Sequence, residues 1–277
     1  ADELAEYDKE IAAIRARKPP EEFLRALCEA AVEGPVAVTH LFHRGDFRQP
    51  QQPVPPGGLT VAAPAESPFE IPEKNPALAT TGRRLAYARW LTSGRHPLTG
   101  RVLVNRFWLH HFGKTFVATP DEFGKLGALP THPELLDWLA DEFMAKGWSL
   151  KHLHRQIMTS TVYRQRSTAS AAQIARDRTN RLYGRFPLRR LEAEALRDAQ
   201  LLVSGRLDLT QFGPAVSVAP DETGQVVATG EKQRRSIYLQ ARRTQPIALL
   251  AAFDAPVMEV NCAVRPDSTA ATHTLML

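Results

Sequence analysis

The sequence predicts a helix-dominated α+β fold, mainly α with a few short β-strands, and three observations carry that expectation. Between Thr81 and Val203 apolar residues recur three and four apart in runs bounded by cap-type residues and by glycine, the pattern of amphipathic helices. Period-two alternation is confined to short stretches such as Val36 to Phe42 and Ser236-Ile237-Tyr238-Leu239, which reads as isolated strands rather than a large sheet. The chain of 277 residues with 43% hydrophobic and 23% charged residues is ordinary for a globular protein with a real core.

The elements follow in order. Residues 1 to 17 read as a helix with Leu4, Ile11 and Ile14 on one side, broken by Lys18-Pro19-Pro20. Glu21 to Val32 reads as a second helix with Phe23, Leu24, Leu27 and Cys28 inward, and Val36 to Phe42 as a strand. Residues 45 to 76 are rich in Pro, Gly and Gln, too poor in apolar residues for an element, and read as an extended surface loop. Thr81 caps a helix through Trp90 and Leu91 that Gly94 ends. Pro97 opens the next, with Val102, Leu103, Phe107 and Leu109 as its buried rows and Gly113 as its stop. Thr131-His132-Pro133-Glu134 has the form of a capping box, followed by Leu135, Leu136, Leu139 and Phe143 up to Gly147. Ser149 caps a helix with Leu150, Leu153, Ile157 and Met158 inward, and Leu191 to Val203 is a further helix closed by Gly205. Residues 213 to 230 read as loop, 234 to 241 as a strand, and 247 to 253 as a short helix. The domain reading is an upstream helical segment over 1–17, a helix, strand and Pro/Gly-rich linker over 18–79, and a main helical domain over 80–277. Both ends read as cuts from a longer chain.

Composition excludes some classes. No window approaches 18 uninterrupted apolar residues, so no membrane-spanning helix is expected. The net charge is +5, and of 35 basic residues only eight are lysine. Arginine suits bidentate grips on carboxylate, sulfate or phosphate, although a compositional bias toward Arg, Ala and Pro explains the same excess. Four Arg-Arg pairs, Arg83-Arg84, Arg189-Arg190, Arg234-Arg235 and Arg242-Arg243, suit an anionic polymer, but no nucleic-acid module is present and aromatics are not interleaved with them, so nucleic acid is not an expected partner. Cys28 and Cys262 lack metal-type spacing and read as free core thiols or one disulfide, with core thiols favoured.

Motifs for chemistry are sparse. There is no Gly-x-Ser-x-Gly elbow, no phosphate-binding glycine loop and no Cys-x-x-Cys. His110 and His111 are adjacent and point about 100° apart on a helix, and His152 and His154 are spaced poorly for a shared metal. A metal set would need convergence of distant groups such as His111, His132 and Asp121, and no metal is expected. The candidate catalytic residues are His132 and Asp121, with Asn105 and Arg106 completing a site in which Arg106 holds an anion and His132 moves a proton. A brace from Arg106 to Glu134 or Asp137 is favoured over a ligand contact. Candidate binding residues are Asn105, Arg106, Trp108, Arg234 and Arg235, the last two flanking the predicted 234–241 strand.

These stretches also resemble a known family. Arg83-Arg84-Leu85-Ala86, Asn105-Arg106-Phe107-Trp108, Thr119-Pro120-Asp121-Glu122-Phe123-Gly124 and Pro130-Thr131-His132-Pro133-Glu134 occur in an order similar to the planctomycete surface-protein domain of unknown function found with cytochrome c modules. Tyr163-Arg164-Gln165, Arg189-Arg190-Leu191-Glu192-Ala193-Glu194, Phe253-Asp254-Ala255-Pro256, Cys262, Arg265 and Ser268-Thr269 continue it over roughly residues 80 to 277. The resemblance implies a domain of a large, exported, multidomain protein, hence an extracytoplasmic place at the periplasm or cell surface. It also implies neighbouring domains of the same polypeptide as partners. It carries over no catalytic residue. No cofactor is expected in this chain, which has no Cys-x-x-Cys-His; heme would belong to a separate upstream domain. The functional expectation is an accessory domain that binds acidic polysaccharide. The alternatives are a hydrolase or lyase on such a polymer with a His/Asp/Arg site, and an assembly domain that docks on its neighbours.

Overall fold

The computed structural model describes residues 6–7, 9–13, 29, 34–59, 63, 69–230, 233–256 and 262–268. The expected helix over 21–32 and most of the one over 1–17 lie outside these residues, apart from helical turns at 6–7 and 9–13. The fold is helix-dominated α+β, as the sequence predicts. Two compact units divide the chain, residues 1–90 and 91–277.

In the first unit an antiparallel hairpin joins β1 (Thr39–Phe42) to β2 (Pro50–Val54), with Thr39 opposite Val54 and a register shift between His40 and Phe42. The expected strand is thus shorter than 36–42, and its partner lies in the stretch read as loop. Pro50 and Pro53 hid it, because proline is confined to edge strands and bulges, and in a two-stranded ribbon both strands are edges. Helix α1 (Arg83–Leu91) follows, with Thr81 Oγ1 accepting from Arg83 N at 3.3 Å. Trp90 stacks on Phe69 with ring centroids 4.5 Å apart, and Tyr87 tilts against both rings.

The second unit is built on α2 (Thr99–Phe112), α3 (Pro133–Ala145) and α4 (Leu150–Thr159). Val104, Trp108 and Phe112 of α2 meet Leu136, Leu139, Ala140 and Phe143 of α3 and Leu153 and Ile157 of α4, with Phe116, Val117 and Tyr183 closing the cluster. Each of the Val, Leu, Ile and Phe side chains among them, once fully buried, contributes about 1.5–3 kcal/mol. Helices α2 and α3 approach closely at Gly100, where a Cβ would meet Met144 Sδ at 3.2 Å and the Ala140 methyl at 3.4 Å.

The deepest row of α2 therefore runs through Val104, Asn105, Trp108 and Phe112 instead of Val102, Leu103, Phe107 and Leu109, of which Leu103 and Phe107 pack at the edge of the core. On α4, Leu153 and Ile157 are buried as expected, but Leu150 and Met158 are exposed.

The capping expectations divide in the same way. Ser149 accepts from His152 N at the start of α4. His132, not Thr131, is the N-cap of α3, with no side-chain cap bond. Thr131 is used elsewhere: its amide donates to Phe116 O and its hydroxyl meets His132 Nδ1. Helix α2 is capped by an imidazole, since His96 Nδ1 accepts from Leu98 N and Thr99 N.

Short helices α5 (Thr161–Arg164) and α6 (Ala171–Arg176) lead to α7 (Ala193–Val203), which Gly205 closes in the left-handed region. The stretch read as loop over 213–230 forms a second hairpin, β3 (Val218–Pro220) with β4 (Val226–Ala228), turned by Asp221, whose carboxylate takes the amides of Thr223 and Gln225. The strand expected over 234–241 is a 3-10 turn at Ser236–Tyr238, flanked by single bridges from Arg234 to Asp208 and from Leu239 to Val216. Asp198 Oδ1 accepts from both the amide and the hydroxyl of Ser236, which bends the chain where alternation alone predicts extension. Helix α8 (Ala248–Ala252) lies within the predicted 247–253.

Candidate functional site

The candidate binding residues take unequal roles. Asn105 is wholly buried, and its carboxamide pairs with the Val117 backbone, Oδ1 accepting from Val117 N at 3.0 Å and Nδ2 donating to Val117 O at 3.2 Å. Trp108 is buried between Phe112 and Phe116, with centroids at 4.2 and 4.3 Å, and meets Tyr183 edge-on. Arg234 is buried too. It donates to the carbonyls of Thr210, Phe212 and Pro214, and its guanidinium lies 3.9 Å from the Tyr238 ring centroid. Asn105 and Trp108 are thus packed into the core, whereas Arg234, held by carbonyls, also lines a concavity with Thr210, Phe212 and Pro214. Arg235 is exposed, its Nε 3.4 Å from Asp198 Oδ2.

Arg106 differs. It projects to solvent from α2 and, among the described residues, makes no hydrogen bond and no ion pair. The brace expected of it belongs to Arg101, whose Nε lies 2.6 Å from Asp137 Oδ1. That bond holds the Asp137 carboxyl below its ordinary pKa. The substitution of one arginine for the other follows from geometry, since Arg101 is on the α2 face turned toward α3.

The two candidate catalytic residues have different surroundings. His132 sits against the aromatic core, 6.1 Å from Phe116 and 5.7 Å from Tyr183 by ring centroids. Asp121 is exposed and lines a concavity with Arg106 that His132 does not reach. No group of three His, Cys, Asp or Glu able to hold a metal occurs among the described residues. The histidine pair the structure does form is His111 with His154, across α2 and α4, with Nε2 and Nδ1 2.8 Å apart. Burial lowers the His111 pKa, and the charges of His154 and Arg189 add to that.

A cavity of about 330 Å³ opens beside Arg106. One wall is the outer face of α2 with Arg106, Leu109 and His110; another is the chain from Arg189 to Ala193. Phe253, Asp254 and the strap from Cys262 to Asp267 complete it. Gly113, at φ +68, ends α2 and leaves room for Arg189, whose Cδ would lie 3.1 Å from a Cβ there.

The strap is held by ion pairs over long sequence distances. Arg265 Nη1 lies 2.6 Å from Glu194 Oε2 and 3.5 Å from Glu192 Oε2. The hydrogen bond to Glu194 raises the Arg265 pKa. Burial is the largest single influence on Glu194 and works against its charge, but the Arg265 hydrogen bond, a backbone hydrogen bond and the Arg265 charge together leave that carboxyl below its ordinary range. Arg190 Nη2 bonds Asp254 Oδ2 at 2.6 Å and Nη1 bonds Ser268 O at 2.7 Å. Asp254, at φ +62, also takes the Ser268 amide at 2.9 Å and the Ser268 hydroxyl at 2.9–3.0 Å. Those bonds, the Ser268 amide first and then Arg190, push its pKa down to about 2.

Arg190 and Arg265 are thus engaged with acids. Arg106 and Arg189 line the same cavity without a carboxylate partner among the described residues; Arg189 donates only to the His110 carbonyl. Of these four arginines the sequence offers Arg106 as a candidate site residue, and Arg189 and Arg190 only as one of its Arg-Arg pairs. Sequence reasoning missed the roles of Arg189, Arg190, Asp254, Arg265 and Ser268, although each stands in a stretch that carries the family resemblance.

Cys262 is a free thiol and exposed, contrary to the expected core position, and its Sγ lies 3.2 Å from Val264 O. Cys28 is outside the described residues. With Arg106 and Ala263, Cys262 borders both this cavity and a second one. No helix among the described residues is long and apolar enough to cross a membrane.

A family model described as PSD1, protein of unknown function (DUF1553), matches residues 83–277. Neither a curated protein nor a solved structure matches the chain.

Proposed function

The chain belongs to the PSD1 family of proteins of unknown function (DUF1553), and from the cavity its matched residues build we propose that it is a binding domain for acidic polysaccharide. The ligand's sulfate or carboxylate group would sit between Arg106 and Arg189. One observation carries this reading: two guanidiniums without carboxylate partners face a cavity whose other two arginines are fixed by Asp254, Glu192 and Glu194. Paired arginines shape the wall, and the uncompensated ones supply charge. A planar guanidinium binds carboxylate or sulfate through two parallel N–H···O bonds, stronger and more directional than a lysine contact.

The family resemblance supports the setting, an exported planctomycete surface protein in which cytochrome modules and other domains neighbour this one. The hydrolase or lyase reading has less support, since His132 does not line the cavity that holds Asp121 and Arg106 and general acid–base work needs groups within hydrogen-bond reach of one substrate.

The test is binding of sulfated and uronate oligosaccharides to the chain, followed by thermal unfolding at low and moderate salt. A specific site keeps its stabilisation at moderate salt, whereas diffuse attraction is screened away. Arg106→Ala and Arg189→Ala each remove a charge-assisted contact of about 1.5–3 kcal/mol, so each weakens affinity about 10- to 100-fold. Unchanged binding in the double variant, or no binding by the native chain, overturns the proposal. The second outcome favours an assembly role, for which exposed Leu188, Val203 and Phe212 supply apolar surface.

A further inference from the structure

The second cavity bordered by Arg106 has a different chemistry. It measures about 580 Å³ and is lined by Leu98, Val102, Pro120, Phe123, Asp121 and Arg106, with Cys262 and Ala263 on the rim shared with the first. Its walls are mixed: Leu98, Val102, Pro120 and Phe123 supply apolar surface, and polar surface makes up about as much of the lining. Asp121 is its acidic group, and among the described residues that carboxylate accepts no hydrogen bond and forms no ion pair, not even with Arg106 across the same cavity. A lining that sets apolar side chains beside a few polar groups suits a ligand with both an apolar face and hydroxyls, oriented by the polar contacts.

We infer that this cavity is a subsite for an uncharged sugar unit, next to the anion-holding subsite, so that the ligand is a polymer in which acidic and neutral units adjoin. The inference rests on the proposed anionic site. A pyranose lays its C–H face on Phe123, Leu98 and Val102, and its hydroxyls donate to Asp121 and accept from Arg106. Arg106 is the hinge between subsites, facing an anion on one side and a hydroxyl on the other. Asp121 also selects by exclusion. A second carboxylate or sulfate placed there would meet an unneutralised like charge, and such a clash rejects the wrong ligand more effectively than added attraction selects the right one.

The experiment compares two probes of equal length by titration calorimetry with the full chain. One is an oligogalacturonate tetramer, acidic at every unit; the other is a hyaluronan tetramer, in which glucuronate alternates with uncharged N-acetylglucosamine. The expected result is at least tenfold tighter binding of the alternating tetramer. Asp121→Asn narrows that ratio to within about twofold by improving the uniformly acidic ligand, and Phe123→Ala weakens the alternating one. Cys262 reports occupancy independently. Its alkylation by iodoacetamide, followed by peptide mapping to separate it from Cys28, slows when the rim between the cavities is covered.

Equal affinity for both tetramers in the native chain overturns the inference while leaving the anionic site standing. So does a ratio that Asp121→Asn does not change. Binding of neither tetramer overturns both readings.

Discussion

Asn105→Ala separates a core role from a ligand-binding one. The Asn105 carboxamide satisfies both backbone groups of Val117 in a region closed to water, with Asn105 at 0% and Val117 at 2% exposure. Truncation to alanine leaves an amide N–H and a carbonyl buried without partners. Leaving a buried donor or acceptor unsatisfied costs about 1–3 kcal/mol, so two of them, partly relieved by an entering water, come to about 3 kcal/mol. With a urea dependence of about 2 kcal/mol per molar, the unfolding midpoint falls by about 1.5 M.

Tryptophan fluorescence is the assay, because Trp108 lies one helical turn from Asn105 and inside the same aromatic cluster. Asn105→Asp sharpens the test. It keeps an acceptor for the Val117 amide but sets a buried carboxylate against the Val117 carbonyl, so it is the more damaging change at neutral pH. A midpoint shift below about 0.3 M for Asn105→Ala refutes the argument. So does a variant that melts like the native chain yet no longer binds oligosaccharide, which would return Asn105 to the binding site.

Two further perturbations follow from the paired groups. Arg197 donates to Arg234 O at 3.0 Å, Ser236 Oγ at 3.2 Å and Gln233 Oε1 at 3.2 Å from a buried position; a lysine brings one ammonium to a place that needs a fork. Arg197→Lys therefore destabilises by about 2 kcal/mol and speeds amide exchange around 236–239, while unaltered exchange there contradicts the bracing role. Asp254 has a folded pKa depressed from 3.8 to about 2, so its contribution is complete above its unfolded value and is lost as pH falls through the folded one. Between about pH 4 and pH 2 the native chain should lose stability more steeply than Asp254→Asn, and equal slopes in urea unfolding across that window would sink the assignment.

The helices were legible because their signals are local. Leu136, Leu139 and Phe143 announce α3 by spacing alone, and Ser149 its successor by capping chemistry. Position 105 misled because an asparagine on a helix beside an arginine looks like a ligand contact, and only the fold reveals the Val117 backbone opposite it. The stretch from Arg234 to Ala241 misled for a related reason. Its alternation is strand-like, but Asp198, 38 residues earlier, takes the Ser236 amide and hydroxyl and fixes a turn. The cavity lay beyond any local pattern, since Arg190 meets Asp254 at a separation of 64 residues and Arg265 meets Glu194 at 71. Arg106 stood out in the sequence, but its freedom from a carboxylate brace among the described residues did not, and neither did its neighbours in space.

Those separations also set an order of folding. Asn105 finds Val117 across 12 residues, whereas Arg265 must find Glu194 across 71, and closing the longer loop costs about 1.5 kcal/mol more chain entropy. The α2–α3–α4 cluster can therefore condense first, and the strap that walls the cavity arrives afterwards on a scaffold already formed. Interactions made this late act on the rate of unfolding more than on the rate of folding. A ligand held under the strap would then lengthen the life of the native state and leave the speed of its formation almost untouched.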